Sequence, residues 1–533
     1  MRYPRRQQPA WVAALNDSDP WRSPVTMVVS ALLLLSWAAT VIWVALHHEP
    51  WRDEVRALSL AIAPTHLWQL PAGLKNEGHP LTWFLLLRGA YALTGSYRVL
   101  LVVSTLIGAL AVGLFYWRAP LPLWLKGLFC FGVLPLYDYA VMARNYGISM
   151  LLLFVFAALY RYRQRRWLAA ALTLAALAHT NVHSMILTCA LLGLWLLDDL
   201  PGRPPWAQSW RWLWPRLVVV GIVGLALLTA YLTVRPDDQT VVTRSTLPST
   251  RQLWRAIANA CLRPGAAFGA ILPAWKLPAW LPVLPNLLLG LLWIGLLIRP
   301  RAALALVGGT VLLGTFFATI FYGAIRHQGL LFAFILAVYW IVRDAGPLPH
   351  GLPLRRTLHT LAVYGVLPLL FAHHLRMGYD AVERDLGGEL SANASLGAFL
   401  RARPRLQQAI VLGEPDFRLE SLPYWVPNAI YVPREDRFAR TVSFTRRART
   451  ALSLGELLAT AQRLCRTHHR PVLIALGHYP LEAQSPIALS YSYNKLWTST
   501  PAEVAAFRRA TRLLAEFLAA LSDETYQLYE LPC

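Results

Sequence analysis

A chain of 533 residues that is 56% hydrophobic but only 15% charged, with a mean hydropathy of +0.42, has too few polar side chains to cover a soluble globule of that size. Soluble domains carry roughly 25% charged residues. The formal net charge is +22, almost all of it from Arg. These Arg residues cluster between apolar runs, which fits membrane topology and anionic lipid headgroups; with no zinc-finger or RNA-binding signature in the chain, nucleic acid is excluded as a partner.

The basic start "MRYPRRQQPAW" opens a segment, 1–25, expected on the cytoplasmic side. The first apolar run ends in "VALHHEP" without a small-residue cleavage site, so it reads as a retained signal anchor. Apolar runs near 26–46, 98–117, 121–141, 146–161, 167–180, 184–197, 216–233, 281–298, 302–320, 329–342 and 357–373 predict a polytopic α-helical membrane protein with about eleven transmembrane helices. The stretch 167–197 is broken by the polar "HTNVHS" and reads as a hairpin of two short helices. Placing the Arg-rich connections 160–167, 202–216, 299–301 and 353–356 on the cytoplasmic side with the N-terminus satisfies the positive-inside rule. On that assignment the run 79–95, which carries Arg88, cannot be a full span and reads as a re-entrant or interface-lying helix.

The first outward loop then covers 47–97, and later outward segments fall at 138–146, 180–184, 234–280 and 321–328. The transmembrane unit is expected over 26–375 and a soluble, outward α/β domain over 376–533. In that domain "QAIVLGEPDF", "NAIYVP", "ARTVSF" and "RPVLIALG" read as strands, and "LSLGELLATAQRLCR" and "PAEVAAFRRATRLLAEFLAAL" as helices. It shows no nucleotide-binding glycine loop. Cys130 and Cys189 sit in apolar runs as packing residues. Cys465 and Cys533 share the C-terminal region, and their spacing leaves a disulfide open.

The chain leaves the first span at "HHEPWRDEVRALSLA" with two adjacent acids, Asp53 and Glu54. Pro50 and the acids suit the first turn of an interfacial helix, where the dipole favours negative charge; capping is therefore the plain reading. Neighbours on a helix point about 100° apart, so one acid can act chemically while the other orients a neighbour. Convergence favours a reactive role. Asp138 and Arg144 lie in "LYDYAVMARNYG", Arg326 and His327 in "YGAIRHQG", and Lys75, Glu77 and His79 in the first loop, all on the same expected face. Charges at membrane depth are costly and mark functional paths. A carboxylate there can take a proton from a hydroxyl, and Arg residues can hold a leaving phosphate. The plain alternatives are an Asp138–Arg144 pair and a snorkelling Arg326. His179 and His183, four apart, have metal-ligand spacing, but the turn between two short helices also explains them.

The order "WRDE" (51–54), "EGHPLTWFLLL" (77–87) and "YDYAVMARNYGISMLLLFVFAALY" (137–160) resembles the GT-C superfamily of membrane glycosyltransferases. The likeness is to bacterial relatives of protein O-mannosyltransferases and of the lipid A aminoarabinose transferase, and it covers 27–200 best. The chain departs from the family's frequent "HPP" at Leu81, and its second acidic site is a lone Asp138. The resemblance implies an inverting glycosyltransferase in a bacterial inner membrane, with a polyprenyl-phosphate-sugar donor and a lipid, glycan or protein acceptor. Asp53 would be the general base and Glu54 its support or a donor contact. No cofactor is fixed; a divalent metal stays open, because only some branches use one. Competing readings are a transporter or flippase of lipid-linked sugars, a non-catalytic scaffold, and an O-antigen-ligase-like transferase centred on Arg235, Asp237, Asp238 and Arg244.

Overall fold

The computed structural model describes residues 16–75, 77–200, 209–235, 248–273, 283–346, 352–477, 479–482 and 484–533. Asp237, Asp238 and Arg244 lie outside the described residues.

Helix α1, Pro24–His47, starts on a Ser23 cap that accepts from the Thr26 N–H at 3.1 Å, with Pro24 at its first position. Its 24 residues rise about 36 Å, enough for a hydrocarbon core of about 30 Å. Helix α2, Arg52–Ile62, follows after a short link, then α3, Leu81–Thr94. The 14 residues of α3 reach only about 21 Å, too short to cross. Gly95 stops α3 with φ of 63°, a conformation that side-chain-bearing residues resist. Trp83, Phe84 and Leu87 of α3 pack against Val55, Leu58 and Ala61 of α2 in one buried cluster.

The bundle continues through α4 (Val99–Arg118), α5 (Leu123–Cys130), α6 (Tyr146–Tyr160), α7 (Trp167–Ala178), α8 (Val182–Asp199), α9 (Ser209–Val234), α10 (Thr250–Leu262), α11 (Leu284–Gly295), α12 (Pro300–Thr319), α13 (Ile325–Asp344) and α14 (Pro353–Gly387). Among the described residues, seven helices are long and apolar enough to cross a membrane: α1, α4, α8, α9, α12, α13 and α14. The apolar stretches of α6, α7 and α11 are shorter. α13 is the central element; it is buried from His327 to Val342 and packs on α6 and α12.

Two expectations are corrected. The run 121–141 is not one span: α5 ends at Cys130, and a π-type turn, Leu134–Asp138, follows Gly132 with Pro135 inside it. Proline lacks the N–H a continuous helix needs, and glycine weakens the helix just before it. The helix that carries the last apolar run outlasts it: α14 continues through Arg376, Asp380 and Arg384 to Gly387. The segment 501–521 is not one helix; it is α16, Pro501–Ala510, followed by a strand, Arg512–Phe517.

The C-terminal domain is α/β. Its six-stranded sheet has the order β3-β2-β1-β5-β9-β8, with β1 Ile410–Glu414, β2 Ile430–Val432, β3 Arg437–Phe438, β5 Val472–Leu476, β8 Arg512–Phe517 and β9 Tyr526–Leu531. β1 runs parallel to β2 and β5, while β9 is antiparallel to β5, with Ile474 opposite Tyr529. The alternation of side chains along a strand builds two cores. Ile410, Leu412, Val472, Ile474 and Leu476 face α15, Leu454–His468. Val411, Leu473 and Ala475 meet Leu396 and Leu400 on the other face. The "SLGE" box caps α15: Ser453 and Glu456 each accept the other's backbone N–H, at 3.1 and 2.8 Å. A second sheet, β4-β7-β6, comprises Ala451–Ser453, Lys495–Ser499 and Ile487–Tyr491. Cys465 of α15 and Cys533 form a disulfide, which closes the pairing that their spacing left open.

Candidate active site

Asp53 lies in the first turn of α2, where the unpaired N–H groups and the dipole favour its charge. Its Oδ2 is 3.1 Å from Arg144 Nη1 and 3.2 Å from Arg326 Nη2. Arg144 also donates to the Asp53 backbone carbonyl at 2.7 Å. Three separate segments therefore meet at one carboxylate: the first loop, the 138–146 loop and the start of α13. The Asp53 side chain keeps 31% of its exposure, against 12% for Arg144 and 18% for Arg326. Burial pushes this carboxyl up, but the Arg144 and Arg326 guanidiniums, helped by Arg52 and Arg56, outweigh it and hold it below the usual carboxylate range. Arg326 also stands over the Trp51 ring, 5.5 Å from its centroid.

Glu54 is placed differently. It is fully buried, and its oxygens accept from the backbone N–H groups of Ala143 at 2.5 Å and Trp51 at 3.2 Å. His48 Nε2 donates to it at 3.1 Å, and His48 Nδ1 donates to Asp385 at 3.1 Å. Burial alone would lower the His48 value, but the two carboxylates raise it to about 10, so the imidazolium persists between them. Glu54 thus ties the end of α1, the start of α2, the 138–146 loop and the far end of α14 into one buried knot. Of the two places expected for Glu54, support for Asp53 or contact with a donor, its burial and backbone partners put it on the supporting side.

The other expected residues divide. His79 Nε2 is 3.5 Å from Arg144 Nη2, and burial and the Arg144 charge push the ring down to about 3, so it stays neutral. Asp138 is buried on the π-type turn and forms no pair with Arg144, which is committed to Asp53. Glu77 pairs with Arg56 at 2.5 Å rather than facing Asp53. Lys75 is exposed, and no ion pair among the described residues joins it to either acid. His327 caps its own helix, Nδ1 accepting from the Ala324 N–H at 2.9 Å. Its ring lies 5.2 Å from Tyr146 and 5.3 Å from His183, and His79 lies 6.0 Å from Tyr146. His183 is 5% exposed, yet neither ring nitrogen has a hydrogen-bond partner among the described residues. A polar patch therefore continues inward from the Asp53 clamp. "HTNVHS" supports it: Asn145 donates to the Thr180 carbonyl at 2.6 Å, and Asn181 to Ser149 Oγ at 2.8 Å.

His179 turns away to Thr229 at 3.0 Å, so the 179/183 spacing builds no metal pair. Among the described residues, no group of three or more His, Cys, Asp or Glu side chains is arranged to hold a metal ion. The donor set at Asp53, one carboxylate between two guanidiniums, suits an anion rather than a cation.

Sequence reasoning passed over the residues that clamp α2 to the C-terminal domain. Arg52 pairs with Asp523, and its N–H donates to Glu524 at 2.9 Å. Arg56 pairs with Glu420 and donates to the Val442 carbonyl at 3.0 Å. The available signal was the spacing: Arg52 and Arg56 are four apart and share one helix face.

The fold is a polytopic helical membrane unit with a C-terminal α/β domain that helps to build the site. No family model matches the chain, and no curated protein matches it. Among solved structures it is similar to the crystal structure of ArnT from Cupriavidus metallidurans in the apo state, with TM-score 0.48 and 13% identity over 96% of this chain and 98% of that one. It is also similar to the single-particle cryo-EM structure of the arabinofuranosyltransferase AftD from Mycobacteria, with TM-score 0.29 and 15% identity, over 94% of this chain and 40% of that one. At these scores neither likeness says anything of the chemistry, which rests on the geometry above.

Proposed function

We propose that this protein is a membrane glycosyltransferase that moves a sugar from a polyprenyl-phosphate-linked donor to an envelope acceptor, with inversion, at the outer face of a bacterial inner membrane. The observation that carries the reading is the half-exposed Asp53 carboxylate held by two guanidiniums from separate segments. Clamped this way, Asp53 is a weak base. A donor phosphate offers Arg144 and Arg326 a better partner, with more oxygens and more charge. Its arrival draws the guanidiniums off Asp53 and restores the basicity that the reaction needs. Asp53 then takes the proton of the acceptor hydroxyl, and the freed oxygen forms a bond to the anomeric carbon. The bond from that carbon to the phosphate oxygen breaks, and polyprenyl phosphate leaves with its charge held by the two arginines. The neutral His79, with Tyr146 and His183 behind it, offers hydrogen-bond partners for sugar hydroxyls. A transporter would favour charge at the bilayer midplane; here it gathers at helix ends.

The test compares envelope glycans by mass spectrometry in a null strain carrying wild type or Asp53→Asn at matched protein levels. The wild type restores a sugar that the variant does not. Full restoration by Asp53→Asn would sink the reading.

A further inference from the structure

A cleft of about 610 Å³ opens between the membrane unit and the C-terminal domain, away from Asp53. One wall is Tyr97 and Arg98, in the link from α3 to α4; the other is Arg401, Tyr424 and Trp425 of the C-terminal domain. Arg440 reaches in from the side and donates to the Tyr97 hydroxyl at 2.6 Å. Arg98 and Arg401 line the space and Arg440 holds Tyr97 at its edge; none of the three forms an ion pair with an acid among the described residues. Arg401 is aimed by a bond to the Trp425 carbonyl at 2.7 Å. Arg98 is the cap residue of α4, so the positive end of a 20-residue helix adds to the same field. The two walls meet through edge-to-face aromatic contacts, with Tyr97 to Tyr424 at 6.5 Å and Tyr424 to Trp425 at 4.9 Å.

The cleft sits where the short helix α3 gives way to α4, which is long and apolar enough to cross a membrane. Beside it, Leu93 is 88% exposed and Val102 and Leu106 are 56% and 59% exposed, an apolar strip with no protein partner. Clustered unpaired arginines attract phosphate, aromatic side chains settle at the headgroup level, and the strip suits acyl chains. We propose that this cleft is a binding site for the phosphate headgroup of a membrane amphiphile, whose tail lies along α3 and α4. The site needs no transfer chemistry and is separate from the Asp53 clamp.

The test measures lipid retention by native mass spectrometry of the full-length protein, with phosphatidylglycerol, phosphatidylcholine and inorganic phosphate as probes. Wild type retains phosphatidylglycerol over phosphatidylcholine; Arg98→Gln with Arg401→Gln lowers that retention at least tenfold, and Arg98→Lys with Arg401→Lys restores most of it. Equal retention by wild type and the Gln variant would overturn the proposal, as would displacement of the lipid by inorganic phosphate at matched concentration, which marks a free-anion site. Retention is compared only between proteins that keep Asp53, Arg144 and Arg326, while the transferase reading is scored on envelope glycans, so failure of that reading and failure of this one are separable.

Discussion

Asp53 and His48 are charged groups set a few residues apart and tuned in opposite directions, and each leaves its own mark on pH dependence. Asp53 is held below its ordinary value, so the stabilisation from its arginines is complete above roughly pH 4, the unfolded value. It is lost only as pH falls through the lower folded value. The acid limb of a transfer-rate profile should accordingly fall below about pH 4, and an apparent value near 6 would rule out Asp53 as the free-enzyme base. Asp53→Asn should lower the transfer rate by about 10²–10⁴-fold. For His48 the sign reverses. With a folded value of about 10, its contribution is full below roughly pH 6.5 and is lost as pH rises through about 10. His48→Ala leaves Glu54 and Asp385 buried without their cation, at a cost of about 3–5 kcal/mol. Thermal unfolding in detergent should show a lower transition for the variant at pH 7 and convergence with wild type above about pH 10. The acids of "WRDE", Arg144 and Arg326 were legible as charges near the ends of apolar runs. The knot was not, because His48 and Asp385 are 337 residues apart and only tertiary packing joins them.

The segment 139–145 carries Arg144 without any regular structure of its own, so its shape comes from the elements it lies against. A Cβ on Gly147 would stand 2.5 Å from the Tyr139 carbonyl oxygen, and one on Gly108 of α4 would stand 2.6 Å from the Ala140 Cβ. Gly147→Ala should push the segment outward and move Arg144 off Asp53. We expect a loss of about 1–3 kcal/mol in stability and a larger fractional loss in transfer, read by thermal unfolding and initial rates on one preparation. At this scale apolar periodicity located the long helices, and the arginine pattern of the later loops, with Arg88 and a short run, set α3 apart from the spans. It failed where one composition serves two structures. "RLLAEF" reads as the continuation of an amphipathic helix, but its backbone pairs with β9, Phe517 opposite Tyr526. The break at Gly132 and Pro135 was visible as residue types, yet a run of apolar residues outweighed it.

The C-terminal domain is not an appendage, since Asp523, Glu524 and Glu420 hold the two arginines of α2 that flank Asp53 in sequence. Arg56→Met would leave the buried Glu420 without its cation and the partly exposed Glu77 unpaired, at about 3–5 kcal/mol. We expect α2 to loosen, with faster hydrogen exchange over 52–62 and lower transfer while the helix bundle stays protected. Unchanged exchange would show that the domain does not steady the site. The disulfide between Cys465 and Cys533 has a consequence for where the protein matures. Such a bond forms in an oxidising compartment and is uncommon in reducing cytosol. The pair therefore acts as a built-in address label. In intact-mass analysis after alkylation, a domain exported before folding gains two further alkyl groups once reduced, whereas a domain kept among cytosolic thiols takes them up at once. The chain thus reports the side of the membrane on which its own C-terminus folded.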